Sequence, residues 1–156
     1  MDKRRSVMRS VCLRDAEART LAETGECVIE RPVKPQPEHG GGTIWSWQFP
    51  KPDRYGVSGI TGSAEGLAIA LREYSPLGQP GEQRWCKEAW SPAIYLQSAW
   101  YRADNETIDG EPVCEEYLPA ITMPRWASRF TVEVLSTEAI LRDGVWYWTA
   151  RVRRVE

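Results

Sequence analysis

Val145-Trp146-Tyr147-Trp148-Thr149-Ala150-Arg151-Val152-Arg153-Arg154-Val155 closes the chain with a nearly strict alternation. Trp146, Trp148, Ala150 and Val152 fall on one side of an extended backbone, and Arg151 and Arg153 on the other. That two-residue period belongs to a strand with one buried face. Residues 129–135 repeat it, with Phe130, Val132 and Val134 in a row. Residues 84–90 and 98–103 alternate as well, and residues 6–13 and 27–29 are shorter apolar runs of the same kind. The expectation is that segments 84–90, 98–103, 129–135 and 145–155 are strands of one curved, mainly antiparallel sheet. Residues 136–144 read as the connection between the last two.

Two helices interrupt the strands. Asp15 is placed to cap one over residues 16–24, with Gly25 to end it, and Ala64–Glu73 reads as the other. Pro32, Pro35 and Pro37 force an extended path after the first. Residues 38–66 carry seven glycines and read as a long hairpin or loop. Within it, residues 44–49 form a candidate strand with Trp45, Trp47 and Phe49 on one face. Residues 77–81 are a turn and residues 106–112 a polar turn region. Many short strands with two short helices point to an α+β fold, a small β-barrel with helical decoration.

A chain of 156 residues suits a single domain over 1–156. Hydrophobic residues at 42% and charged residues at 27% support a packed core rather than disorder. The net charge of -2 gives no global attraction to nucleic acid, so such binding requires a local basic patch. Eight Trp against two Phe concentrate the aromatic mass in indoles, most of them for packing and a few available to line a pocket or stack on a base. Cys12, Cys27, Cys86 and Cys114 have no paired metal-ligand spacing and are joined by a single His, which argues against a metal site. Free thiols in a reducing compartment are the expectation. Met1-Asp2-Lys3-Arg4-Arg5 is basic, but no long apolar run follows it. The expectation is therefore a cytoplasmic protein with no signal peptide, no membrane partner and no cofactor.

His39-Gly40-Gly41-Gly42 resembles the oxyanion loop of some lipases, but the chain has no G-x-S-x-G elbow to accompany it, and the run reads as a flexible glycine loop. Three other blocks are more informative. They are Arg31-Pro32-Val33-Lys34-Pro35-Gln36-Pro37, then Gly78-Gln79-Pro80-Gly81-Glu82-Gln83-Arg84-Trp85-Cys86-Lys87-Glu88-Ala89-Trp90, then Met123-Pro124-Arg125-Trp126-Ala127-Ser128-Arg129. Tyr101-Arg102-Ala103-Asp104 is a fourth, shorter block. In this order they resemble phage and prophage proteins of the ASCH group, over residues 6–135.

The resemblance implies a PUA-like barrel in a group whose members bind RNA or modified nucleobases, and the host cell cytoplasm if the chain is phage-encoded. One ASCH branch resembles an amidohydrolase that removes acyl groups from the exocyclic nitrogen of cytidine. That branch uses a lysine and a threonine after a helix-ending glycine, and a glutamate on a later strand. Here Glu88 matches the glutamate. The lysine position falls at Glu26, or at Cys27 under a one-residue shift, and the threonine position at Val28 or Ile29. A carboxylate where a cation should stabilise an oxyanion argues against inherited catalysis. Of the basic run expected before the prolines only Arg31 remains, and a longer helical insertion before the last strand is reduced to residues 136–144.

Three functions compete on these residues. The first is a nucleic-acid or nucleobase-binding module in which Glu88, Arg125, Trp126 and Arg129 line the barrel pocket, with Arg31 as a further ligand contact. A purely structural role for Glu88, in an ion pair with Arg84, Arg125 or Arg129, stands against it. Arg125, Arg129, Arg151, Arg153 and Arg154 form a basic stripe under this reading, or a solvated strand face under the plainer one. The second is a degenerate ASCH domain that binds a host or phage protein, as in phage counter-defence. The third is an active amidohydrolase with Cys27 as nucleophile, disfavoured because Glu26 beside it would raise the thiol pKa.

Overall fold

Burial follows the alternation of the C-terminal strand: Trp146, Trp148, Ala150 and Val152 are buried while Arg151 and Arg153 are exposed. The computed structural model describes residues 7–49, 54–93 and 98–155. Among these residues it is an α+β arrangement of twelve strands and two α-helices, with a few short 3-10 turns. The largest sheet has the strand order β1-β6-β11-β12-β2, made of β1 (Ser10–Cys12), β2 (Glu26–Pro32), β6 (Gln83–Lys87), β11 (Thr131–Arg142) and β12 (Val145–Val155). The other ladders have three, two and two strands, and among the described residues all are open sheets. No helix among these residues is long and apolar enough to cross a membrane.

The chain divides into two compact units. The first comprises Met1–Cys27, Gly81–Val134 and Val152–Glu156. In it β1 runs parallel to β6, with Ser10 beside Trp85 and Cys12 beside Lys87. On the other edge of β6, β11 is antiparallel, with Thr131 beside Trp85 and Glu133 beside Gln83. Helix α1 is Asp15–Thr24. Arg14, not Asp15, is its cap residue, and its backbone N–H donates to Glu17 Oε1 at 2.8 Å. Asp15 is the first helical residue, where its charge suits the positive end of the helix. Gly25 ends the helix at φ 80, a left-handed conformation that glycine adopts without a Cβ penalty, and its N–H donates to Leu21 O at 2.9 Å.

Two expectations for this unit need correction. Residues 84–90 are not one strand, because β6 stops at Lys87 and a new strand, β7 (Trp90–Ala93), begins after Glu88 and Ala89. β7 pairs with β8 (Ser98–Tyr101) in a separate two-stranded ladder, so residues 98–103 do not join the main sheet. At the interruption the backbone is bonded by segments distant in sequence: Ala89 O accepts from Arg102 N at 3.1 Å, and Ser128 Oγ donates to Cys86 O at 2.7 Å. Residues 106–112 fold into a small hairpin, β9 (Thr107–Ile108) with β10 (Glu111–Pro112), turned by Asp109-Gly110 at positive φ.

The second unit comprises Val28–Pro80 and Leu135–Arg151. Of the two readings of its glycine-rich stretch, a long hairpin or a loop, the described residues show antiparallel pairing in a three-stranded sheet: β3 (Glu38–His39), β4 (Trp45–Gln48) and β5 (Gly59–Gly62). His39 Nε2 lies 2.8 Å from Gly42 O across the β3–β4 turn, so the His-Gly-Gly-Gly run is a hairpin. Gly59 has a packing reason, since a Cβ there would lie 2.6 Å from Trp47 O on the neighbouring strand. Helix α2 is Ala64–Glu73, as expected, capped by Ser63 Oγ accepting from Gly66 N–H at 3.1 Å. Trp47 is buried against Phe49, Tyr74 and Trp148. The proline segment is held by Gln36, whose amide donates to Trp146 O and accepts from Trp146 N–H, both at 2.9 Å. Residues 136–144 are not a mere connector: β11 continues to Arg142 and turns into β12 at Asp143-Gly144, both at positive φ.

Candidate functional site

The alternation of β6 sends its residues to two faces. Arg84 and Cys86 are buried, and Glu88, one step past the strand, is buried with them at 1% exposure. A carboxylate that deep requires a partner. Arg129 supplies it in a bidentate pair, Nε to Oε2 at 3.0 Å and Nη2 to Oε1 at 2.9 Å. The remaining Nη1 donates to Asp104 at 2.8 Å. The guanidinium also lies 4.1 Å from the Tyr101 ring centroid and 4.7 Å from that of Phe130. Burial raises the Glu88 carboxyl above its ordinary range, Arg129 pulls it back, and burial is the stronger effect. Burial works against the Arg129 charge, but Glu88 and Asp104 outweigh it and hold the guanidinium above its ordinary value. Two carboxylates face the one guanidinium and take up three of its five N–H groups.

The opposite face of β6 carries Gln83, Trp85 and Lys87 outward. Above it lies the short turn Arg125–Ala127. Met123 and Ala127 anchor that turn in a buried cluster with Trp90 and Ala99, and Tyr101 Oη donates to Ala127 O at 2.7 Å. With both flanks held inside, Arg125 and Trp126 project into solvent. The Arg125 guanidinium is 5.7 Å from the Trp85 ring centroid, and the Lys87 ammonium is 5.2 Å from the same ring. Trp126 is 64% exposed and meets Trp90 edge-on at 5.8 Å. A half-buried indole with two cations against its ring, and an exposed indole next in sequence to one of those cations, therefore belong to the first unit.

The candidate residues fall into three places. Glu88 and Arg129 form the internal pair, while Arg125 and Trp126 are on the surface. Arg31 belongs to the second unit, half-buried, with Nη1 donating to Glu30 O at 2.7 Å. Of the three ion-pair partners considered for Glu88, Arg129 is the one found. Arg84 instead pairs with Glu82 at 3.1 Å, and Arg125 Nη2 touches Met8 Sδ at 3.8 Å. In the basic stripe, Arg153 is paired with Glu133 at 3.0 Å. Cys27 is 6% exposed and faces the core, so the proposed nucleophile has no access to a substrate. A separate surface cleft of about 410 Å³ is lined in part by Arg14, Asp15, Ala89, Arg102 and Tyr117, and Arg102 Nε donates across it to Asp15 at 2.7 Å.

Sequence reasoning missed Trp85 and Lys87 as site residues. Their signal was present, because positions two apart on a strand share a face, and here that face is the one opposite Arg84 and Cys86. Asp104, the second carboxylate on Arg129, stands in the sequence only as the last residue of the Tyr101-Arg102-Ala103-Asp104 block.

All four cysteines stand as thiols. Burial pushes the Cys86 thiol well up, with Cys27, Glu88 and Cys12 adding to the effect. Alkylation of the native protein is expected to modify exposed Cys12 first and Cys114 next, leaving Cys27 and Cys86 until denaturant is added. Mass spectrometry reads the order, and early labelling of Cys86 would contradict its burial. Comparison with protein-family models, with curated proteins and with solved structures finds no match.

Proposed function

We propose that this chain is a phage-type ASCH, PUA-like module, its sheet belonging to a small barrel, that binds single-stranded nucleic acid on the surface carrying Trp85, Lys87, Arg125 and Trp126. The observation that carries the reading is the Trp85 indole with the Lys87 and Arg125 cations 5.2 and 5.7 Å from its ring centroid, and exposed Trp126 next in sequence to Arg125. Indoles offer a stacking surface to any base and the cations take phosphates, the combination used by single-strand binders. It answers the requirement set by an acidic chain, that attraction to a polyanion be local. The pocket reading built on Glu88 and Arg129 has less support, because both Glu88 oxygens and three Arg129 nitrogens are committed to each other and to Asp104. The same commitment, with Cys27 buried and Glu26 at the lysine position, supports a binding role without amidohydrolase chemistry.

A second reading, a protein-binding factor, draws on the exposed apolar residues Leu118, Ile121 and Trp126 that lead into and through the same turn. Salt dependence separates the two. Fluorescence anisotropy with labelled single-stranded RNA and DNA should show affinity falling steeply with salt, and Arg125→Ala should reduce the log–log slope by about 0.7. Arg129→Ala should leave the slope unchanged wherever the variant is folded. No binding at low salt, or a slope indifferent to Arg125, would move the assignment to the protein-binding reading.

A further inference from the structure

Register on both sides of β6 fixes what stands beside Trp85. Ser10 of β1 and Thr131 of β11 are each paired with Trp85, so the three residues form one row across β1, β6 and β11. Residues paired in register share a face of the sheet. The rows next to this one point the other way: Val11 with Cys86, and Arg84 with Val132, are buried pairs. Ser10, Trp85 and Thr131 therefore share the outward face, and all three are half-buried. We propose that the Ser10 and Thr131 hydroxyls bind the sugar–phosphate backbone of the nucleotide stacked on Trp85. The inference rests on the single-strand reading above and adds two binding residues to it.

Each hydroxyl residue is one strand spacing, about 4.8 Å of backbone separation, from the residue that carries the indole. That places both within reach of the sugar and phosphate attached to a base on the ring. Among the described residues neither hydroxyl makes a hydrogen bond. A hydroxyl both donates and accepts, so it can serve a phosphate oxygen as donor and a ribose hydroxyl in either sense. Serine and threonine are regular phosphate contacts beside arginine and lysine. The carboxylate one row away on this face, Glu133 beside Gln83, is held by Arg153 Nη2 at 3.0 Å, which offsets its charge.

The two kinds of contact differ in their salt dependence. Lys87 and Arg125 lie against the ring as cations, and a cation that meets a phosphate releases counterions. A neutral hydroxyl adds affinity without that release, so its loss should lower binding equally at every salt concentration.

The test is anisotropy over a salt series, with mixed-sequence RNA and DNA single strands about eight nucleotides long. Ser10→Ala and Thr131→Val should each weaken binding about three- to tenfold, and the double variant about ten- to a hundredfold, with the log–log salt slope unchanged. Thr131→Ser, which keeps the hydroxyl, should bind within about twofold of the wild type. Thr131→Val keeps the β-branched shape that suits a strand, so its melt should not fall. A loss shared by RNA and DNA assigns the hydroxyls to phosphate, and a loss confined to RNA assigns them to the ribose hydroxyl. A double variant that binds both strands within about twofold of the wild type, while Trp85→Ala loses affinity, would overturn this inference and leave the stacking surface standing. Failure of the wild type to bind either strand, or indifference to Trp85→Ala, would overturn the single-strand reading itself.

Discussion

Arg129→Ala is expected to cost about 3–5 kcal/mol of folding stability, the usual loss when one partner of a buried ion pair is removed. Glu88 is 1% exposed and both its oxygens accept from Arg129, so the variant leaves a carboxylate with neither water nor a donor. For a chain of this length each kcal/mol is worth roughly 2–4 °C, so thermal melts should fall by about 6–20 °C. The pH dependence carries the diagnosis. Burial already raises the folded-state carboxyl of Glu88 above its ordinary value of 4.5, and Arg129 opposes that rise. A folded state that holds its proton more tightly than the unfolded chain loses stability as pH increases from the ordinary value through the raised one. Without Arg129 the raised value moves higher still. The deficit relative to the wild type should therefore be smallest at acidic pH and grow toward neutrality. Glu88→Leu combined with Arg129→Met should recover most of the loss, because an apolar pair of similar volume carries no desolvation penalty. A single Arg129→Ala variant that melts within about 1 kcal/mol of the wild type, with no pH trend, would mean that Glu88 is not sealed in this way.

Trp85→Ala is expected to weaken single-strand binding by about 1–3 kcal/mol, or roughly 5- to 150-fold, as one stacked base loses its platform. Trp126→Ala should fall in the same range if a second base stacks there. The two differ in what else they disturb. Trp126 is 64% exposed and meets Trp90 with the two rings nearly perpendicular, so its truncation should leave the melt nearly unchanged. Trp85 is half-buried under Arg125 and beside Lys87, so its binding loss must be read at matched folded fraction. Trp85→Phe, which keeps a ring on the strand, should restore part of the affinity. Should both alanine variants bind within about twofold of the wild type, the indoles are not stacking platforms. The exposed run of Leu118, Ile121 and Trp126 would then be better explained as a surface for a protein.

Local pattern was sufficient for those elements whose cause is local. The alternation of Trp146, Trp148, Ala150 and Val152 determined both the strand and its buried face, because a two-residue period leaves one way to bury indoles. Helix α2 and the stop at Gly25 follow from helix-forming residues and from a conformation that glycine adopts most easily. Residues 136–144 read as a plain connection because the strand that runs through them to the Asp143-Gly144 reversal buries Thr137 and Ala139, small or polar side chains that weaken the apolar signal. What residues 84–90 do depended on tertiary structure. Their alternation runs unbroken to Trp90, yet β6 ends at Lys87, and Glu88 turns to a partner 41 residues further on. No window along the chain shows which of Arg84, Arg125 and Arg129 will be that partner, since the choice rests on which guanidinium the fold brings to the buried carboxylate. The split of one motif into an anchored Met123 and Ala127 and an exposed Arg125 and Trp126 has the same origin. Sequence shows that an arginine and a tryptophan are adjacent. Only the packing of their neighbours against Trp90 and Ala99 decides that both face solvent, where an indole can stack and a cation can meet a phosphate.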